Sequence, residues 1–310
     1  MIKLENDLIL APMAGYSDLG FKCLCEKYGA SLTVSEMISA KALFYGSEKT
    51  EKMLITNGLK KPKSVQLFGN DPQIFESVIK SGKLDEYEII DINMGCPAPK
   101  IIKNKEGSFL LKDLSLASKI ISSCKNSTNK PISVKFRSGF DSEHIVATEF
   151  AKMCEDSGAD LITIHARTTE QKYSGKADLE IIKKVKDSVK IPVCGNGDVF
   201  DIESYSLMKQ TGVDFVMIGR ASIGNPYVFA EILDKPFEKN LFDDIKFHYE
   251  KMREVYSEHV VVNNMKKHIA FYLRKKPNYK DFLKEFFAVT TINKALKLLQ
   301  DFLKNLKIIN

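Results

Sequence analysis

Eight short runs rich in Ile, Val and Leu recur along the first 220 residues, at 7–12, 32–37, 64–68, 88–93, 132–136, 160–165, 191–195 and 214–218. Between most of them lie helix-compatible segments, at 17–28, 71–81, 113–125, 143–157, 178–187 and 201–210. Near-continuous apolar strands alternating with helices predict a parallel sheet buried on both faces, and eight such units predict a closed (β/α)8 barrel of the TIM type. The competing arrangement is a doubly wound open sheet, but no G-x-G-x-x-G follows the first run. Asp71 followed by Pro72, Asp113 and Asp178 stand where helix N-caps are expected. From about residue 241 the pattern changes. Phe282, Phe286, Val289 and Ile292, then Leu296, Leu299 and Leu303, recur at helical spacing, and Pro277 and Asn278 break the run between two helices. The expected organisation is an α/β barrel over residues 1–240, a linker around 234–240, and a small all-helical domain over 241–310.

Charge sharpens this division. The 310 residues carry a net charge of +6, and residues 241–310 hold 14 Lys and Arg against 8 Asp and Glu, which equals the whole excess. Within that tail, Lys266, Lys267, Arg274, Lys275, Lys276, Lys280 and Lys284 are interleaved with Phe271, Tyr272 and Tyr279. Such a surface suits a polyanion such as nucleic acid; the alternative is a solvated helix face in a lysine-rich chain. Composition excludes other classes. Six cysteines without regular spacing form neither a disulfide framework nor a zinc site, so reduced thiols in a cytoplasmic protein, with no metal, are expected. The N-terminus lacks the order of a signal peptide and no apolar segment approaches bilayer length, so no membrane association is expected.

In a parallel barrel the strand C-terminal ends converge on one rim, where reactive groups are displayed. These ends read Ala11-Pro-Met-Ala-Gly15, Gln66-Leu-Phe-Gly69, Asn93-Met-Gly-Cys96, Lys135-Phe-Arg137, His165-Ala-Arg167, Gly195-Asn-Gly-Asp198 and Gly219-Arg220. Cys96, framed by Gly95 and Pro97, is the candidate catalytic group, although a lone Cys is commonly a small buried hydrophobe. The last two ends form a candidate phosphate grip, in which Gly195 to Gly197 free backbone N–H groups and Arg220 adds a forked contact; Gly-Asn-Gly-Asp is also an ordinary turn sequence. Gln66 and Lys135 suit a planar heterocycle with carbonyls and ring nitrogens, such as a flavin. Lys135 is equally compatible with a Schiff-base lysine, and His165 fits either role.

Taken together these blocks resemble the tRNA-dihydrouridine synthases, most closely the bacterial B-type branch, from Leu10 to roughly Leu273. The resemblance rests on the strand ends above with Asp91-Ile-Asn-Met-Gly-Cys-Pro-Ala-Pro-Lys100, Gly107-Ser108, Tyr173-Ser-Gly175, Ile218-Gly-Arg220 and Met265-Lys-Lys-His268. It implies an FMN-bearing barrel that reduces uridine in tRNA to 5,6-dihydrouridine. NADPH is the implied reductant, with NADH as the alternative. Pro12, Met13 and Ala14 would lie against the flavin, Gln66 and Lys135 would contact its ring, and His165 would stand close by. Asn196, Gly197, Asp198, Gly219 and Arg220 would hold its phosphate, and Cys96 matches the family's proton donor. Lys105-Glu106, Thr169 and Leu179 depart from the family pattern around the substrate loops.

The implied chemistry can be argued physically. Hydride from the reduced flavin should add at carbon 6 of uracil, because the double bond is conjugated to a carbonyl, and carbon 5 then needs a proton. A thiol is mostly protonated at neutral pH and can supply it from the opposite face. The base must leave its stack, which is easiest in a tRNA loop. Asn93 is a candidate for reading the uracil edge, Tyr173 for stacking, and Lys266, Lys267 and Arg274 for holding the RNA. A monomer is expected. The rival readings are a small-molecule flavin reductase of the dihydroorotate dehydrogenase type and a non-catalytic RNA-binding barrel.

Overall fold

The computed structural model describes residues 3–309. Its strands are β1 (Leu8–Leu10), β2 (Leu32–Val34), β3 (Ile38–Ser39), β4 (Lys63–Phe68), β5 (Ile89–Met94), β6 (Ile132–Arg137), β7 (Leu161–His165), β8 (Val193–Asn196) and β9 (Phe215–Ile218). Every pairing between them is parallel, in the order β2-β1-β9-β8-β7-β6-β5-β4-β3, and β2 also pairs with β4. That last pairing closes an eight-stranded barrel; β3 is a short extension on β4. The expected strand at 32–37 is therefore split in two. The break is at Ser35, whose hydroxyl accepts the Gln66 N–H at 2.9 Å where a backbone carbonyl would otherwise stand. The helix expected from residue 143 starts at Ala147, because Gly139 and Ile145 form an antiparallel bridge first.

The three proposed caps hold. Asp71 accepts from Gln73 and Ile74, Asp113 from Leu116, and Asp178 from Glu180 and Ile181, each satisfying N–H groups that have no partner within the helix. Along the strands, side chains alternate between two faces. Val65 and Leu67, Ile90 and Ile92, and Val134 and Phe136 face outward into the core shared with the surrounding helices. The other set lines the barrel. Low in the barrel it is apolar, with Ile9, Leu32, Ile89 and Met217 in one cluster. Higher up it becomes polar, and strand register sets Gln66 opposite Asp91, Asn93 opposite Lys135, Arg137 opposite His165 and His165 opposite Asn196. The polar ring at the rim thus follows from alternation and register together.

After residue 240 the chain is helical, at Leu241–Arg253, Glu258–Tyr272, Tyr279–Phe286 and Ile292–Ile309. These helices share a core with the barrel rather than closing one alone. Leu24 and Tyr28 from the barrel helix Leu19–Lys27, with Tyr227 and Ala230, are buried in the same cluster as Ile245, Met265, Ile269 and Phe286. Asp244, 1% exposed, fixes the seam by accepting from Tyr28, Tyr227 and Lys27. No helix among the described residues is long and apolar enough to cross a membrane.

Candidate active site

At the end of β5 the chain turns through Gly95 and Cys96. Asn93 holds this turn, its Oδ1 accepting the N–H groups of Cys96 at 2.9 Å and Gly95 at 3.2 Å. Asn93 Nδ2 donates to Gln66 Oε1 at 2.8 Å, Gln66 Nε2 donates to Asp91 at 2.7 Å, and Ser133 donates to the other Asp91 oxygen. Ser108 N–H then donates to the Cys96 carbonyl at 3.1 Å. Gly107, at φ +60°, permits this approach, since a Cβ there would stand 3.0 Å from that carbonyl and 3.1 Å from Cys96 Cβ. The thiol is half-buried, and desolvation raises it above its ordinary pKa, only partly offset by the Ala98 N–H and Arg137. It is therefore protonated at neutral pH.

Asn93 and Gln66, proposed from sequence as substrate and flavin contacts, are first of all partners of each other. Gln66 keeps a second N–H and a second Oε1 lone pair with which to meet a ligand, whereas the other Asn93 N–H already meets the weak acceptor Met37 Sδ at 4.0 Å. Asp91 belongs to the same chain of bonds, and burial raises its pKa despite the Ser133 and Gln66 bonds.

Cations gather on the other side of the mouth. Lys135 Nζ lies 3.1 Å from Asn196 Oδ1, and burial, aided by Arg137, lowers its pKa to about 8. Desolvation first, then Lys135, Arg137, Arg167 and Arg220, drive His165 well below its ordinary pKa, so its ring is neutral. Asn196 Nδ2 donates to the Met217 carbonyl at 2.8 Å, and Gly197 takes φ +136° with His165 and Ala177 packed over its α-carbon. Asp198, at φ +54°, is the hub. Its carboxylate accepts two bonds from Arg167 (2.7 and 2.9 Å), one from Arg220 (3.0 Å) and one from the Ala177 N–H (2.8 Å). Burial alone would raise Asp198; the Ala177 N–H, Arg167 and Arg220 outweigh it and hold the carboxyl below the usual range. The Asp198 side chain thus orients arginines rather than offering itself to an anion.

Pro12, Met13 and Ala14 follow β1 on the same rim, with Met13 Sδ beside Gly219. Tyr173 is 57% exposed, with the Arg220 guanidinium 5.0 Å and the Arg137 guanidinium 5.7 Å from its ring centre. Of the tail residues, Lys267 turns to the barrel, its ammonium 5.2 Å from the Tyr16 ring centre. Lys266 bonds to Asn263, and exposed Arg274 lies along Phe271. Arg274 also lines a cleft of 1340 Å³ between the rim and the C-terminal helices, together with Arg220, Lys275, Lys276 and Lys304; Glu231, Glu238 and Asp243 border it.

Two arginines named at strand ends were given no role. Arg137 and Arg167 stand at strand ends, so rim position was the available signal. Arg137, 3% exposed, donates to the carbonyls of Gly95, Thr168 and Lys172. A third group had no local signal. Asp18 faces His248 at 2.8 Å and His268 at 2.9 Å across the seam. Desolvation opposes the charge on Asp18, but the two imidazoles hold it well below its ordinary pKa.

A closed parallel barrel that sets a polar ring and a half-buried thiol at its C-terminal rim has the architecture shared by barrel enzymes. Sequence comparison narrows the class. Residues 9–307 match the dihydrouridine synthase (Dus) family model, and the chain belongs to that family. It is 33% identical to tRNA-dihydrouridine synthase B of Vibrio parahaemolyticus, covering 98% of this chain and 97% of that protein. It is 37% identical to a probable tRNA-dihydrouridine synthase of Rickettsia conorii, covering 91% and 88%. A variant of NCR from Zymomonas mobilis shares the fold, with a TM-score of 0.57 at 14% identity over 78% of this chain and 91% of that one.

Proposed function

We propose that this protein reduces uridine in tRNA to 5,6-dihydrouridine, with FMN as resident cofactor and NADPH as reductant. The observation that carries the reading is the half-buried Cys96 at the end of β5, held by Asn93 on a rim where Lys135, Arg137, Arg167 and Arg220 gather around His165. The residues fit a flavin mononucleotide. The neutral His165 with Lys135 and Arg220 suits a bound anion, and the spare amide capacity of Gln66 suits a ring edge. Pro12, Met13, Ala14, Gln66, Lys135 and His165 would meet the ring system; Asn196, Gly197, Asp198, Gly219 and Arg220 would meet the phosphate. When bound, FMN supplies the hydride that adds at carbon 6 of uracil.

The protein's own groups do the rest. Cys96 delivers its proton to carbon 5, and burial keeps that proton on sulfur until it is needed. Asn93 fixes the turn that aims the thiol, and its Nδ2, whose other contact is the weak acceptor Met37 Sδ at 4.0 Å, is the donor for the uracil edge. Lys135 stabilises negative charge beside it, and Tyr173 offers a face for stacking. Lys266, Lys267, Arg274 and the cleft cations suit an RNA backbone, which makes the helical region beyond residue 240 an RNA-holding domain.

The test is to incubate the purified yellow protein with NADPH and tRNA lacking dihydrouridine, then map the tRNA by mass. Uridines gaining two hydrogens are expected. A reducible flavin with no change in the tRNA would overturn the reading in favour of a small-molecule reductase, and a colourless protein would favour an RNA-binding barrel.

A further inference from the structure

We propose that Arg167 is a positioning residue that ties the substrate loop, residues 168–177, to the phosphate loop, so that an occupied phosphate site holds Tyr173 across the mouth. This rests on the reading of the mouth as a flavin and uridine site. Arg167 is 2% exposed. Its Nη2 donates to both Asp198 oxygens and to the Gly175 carbonyl at 2.7 Å, and its Nε donates to the Ser174 carbonyl at 3.0 Å. Asp198 Oδ2 also accepts the Ala177 N–H. One buried guanidinium and one carboxylate therefore fix Ser174, Gly175 and Ala177 on the C-terminal half of the loop. Arg137 fixes the other half, through the carbonyls of Thr168 and Lys172, both at 2.9 Å.

Beyond the arginines the loop is braced by short-range bonds, the Ser174 N–H and hydroxyl both donating to the Gln171 carbonyl and the Lys172 N–H to that of Thr169, while the N–H groups of Thr169 and Glu170 donate to Gly139 and Phe140. Residues 172–176 are exposed, and the backbone bends through φ +50° at Lys172 and +65° at Gly175. Tyr173 stands at that tip over the guanidinium faces of Arg137 and Arg220. Arg220 shares the Asp198 carboxylate with Arg167. An anion drawn to Arg220 and the Asp198 backbone thus acts on the carboxylate that positions Arg167, and through it on the carbonyls of Ser174 and Gly175. Lysine at 167 offers its donors from a single point and cannot bond the carboxylate and two carbonyls in one plane.

The test has two arms. In the first, amide hydrogen exchange over 168–177 is compared in the protein carrying FMN and the protein carrying riboflavin, which lacks the phosphate. Exchange about tenfold faster with riboflavin is expected; equal exchange with both flavins bound would overturn the proposal alone, whereas failure to bind either flavin would overturn the cofactor reading and the proposal with it. In the second, Arg167→Lys is expected to raise KM for tRNA about tenfold while NADPH reduces its flavin at the wild-type rate. Tyr173→Ala should then cost much less in the Arg167→Lys background than in the wild type, because both act through one loop. Effects of the two substitutions that simply multiply would overturn the proposal.

Discussion

The two sides of the barrel mouth are built on opposite electrostatic principles. On the β5 side, Asn93, Gln66, Asp91 and Ser133 bond to one another in a chain that ends at the Cys96 turn. From β6 to β9, Arg167, Arg220 and Asp198 form a charged hub, with Lys135 and neutral His165 beside it. The first arrangement fixes one neutral proton donor in space without pulling its proton away. The second keeps positive charge ready for an anion. A single rim holds both, and the two sides meet between β5 and β6, where Asn93 stands opposite Lys135 and Arg137 donates to the Gly95 carbonyl.

The largest expected effect breaks the first side. Cys96→Ala should lower dihydrouridine formation by roughly 10²–10⁴-fold, the usual worth of a positioned general acid, with flavin content unchanged; steady-state assays with tRNA measure it. Asp198→Ala attacks the second side. It leaves the buried Arg167 without its carboxylate and frees Arg220, so FMN affinity should fall by about 10–100-fold in fluorescence titration, while Cys96 keeps its reactivity toward thiol reagents.

Asn93→Ala should be milder. Loss of the acceptor for two turn N–H groups costs about 1–2 kcal/mol in denaturant unfolding and lowers kcat by about tenfold through a misaimed thiol. The smallest effect is on pH. Lys135 loses its proton as pH rises through about 8 in the cofactor-free protein, so FMN affinity should fall by at most about eightfold between pH 7.5 and 9, and Lys135→Met should flatten that profile. Stability responds with the opposite sign. The unfolded chain binds the extra proton between about 8 and 10.5, so this group's contribution to the stability of the cofactor-free fold rises with pH across that window.

Most of the barrel was readable because parallel strands are apolar on both sides and caps are local. The position of the Cys96 turn was readable for the same reason. Its support was partly readable: Asp91 and Asn93 alternate with Ile90 and Ile92, which marks one polar face, but which amide bonds which neighbour depends on cross-strand register. The tail was legible as charge and helical period, not as a partner. Nothing local indicates that Asp18 meets His248 and His268 from 230 and 250 positions away, or that Leu24 and Tyr28 complete the helical core. That shared core also bears on experiment. Removing residues 241–310 would uncover Leu24, Tyr28 and Tyr227, so charge substitutions at Lys266 and Arg274 probe RNA binding more cleanly than truncation.

The central claim is that Cys96 serves only the step in which uracil is protonated. Stopped-flow absorbance of the two half-reactions in Cys96→Ala tests it most directly. The account predicts flavin reduction by NADPH at the wild-type rate and reoxidation by tRNA slowed by at least about 100-fold. Reoxidation by tRNA at the wild-type rate would contradict it.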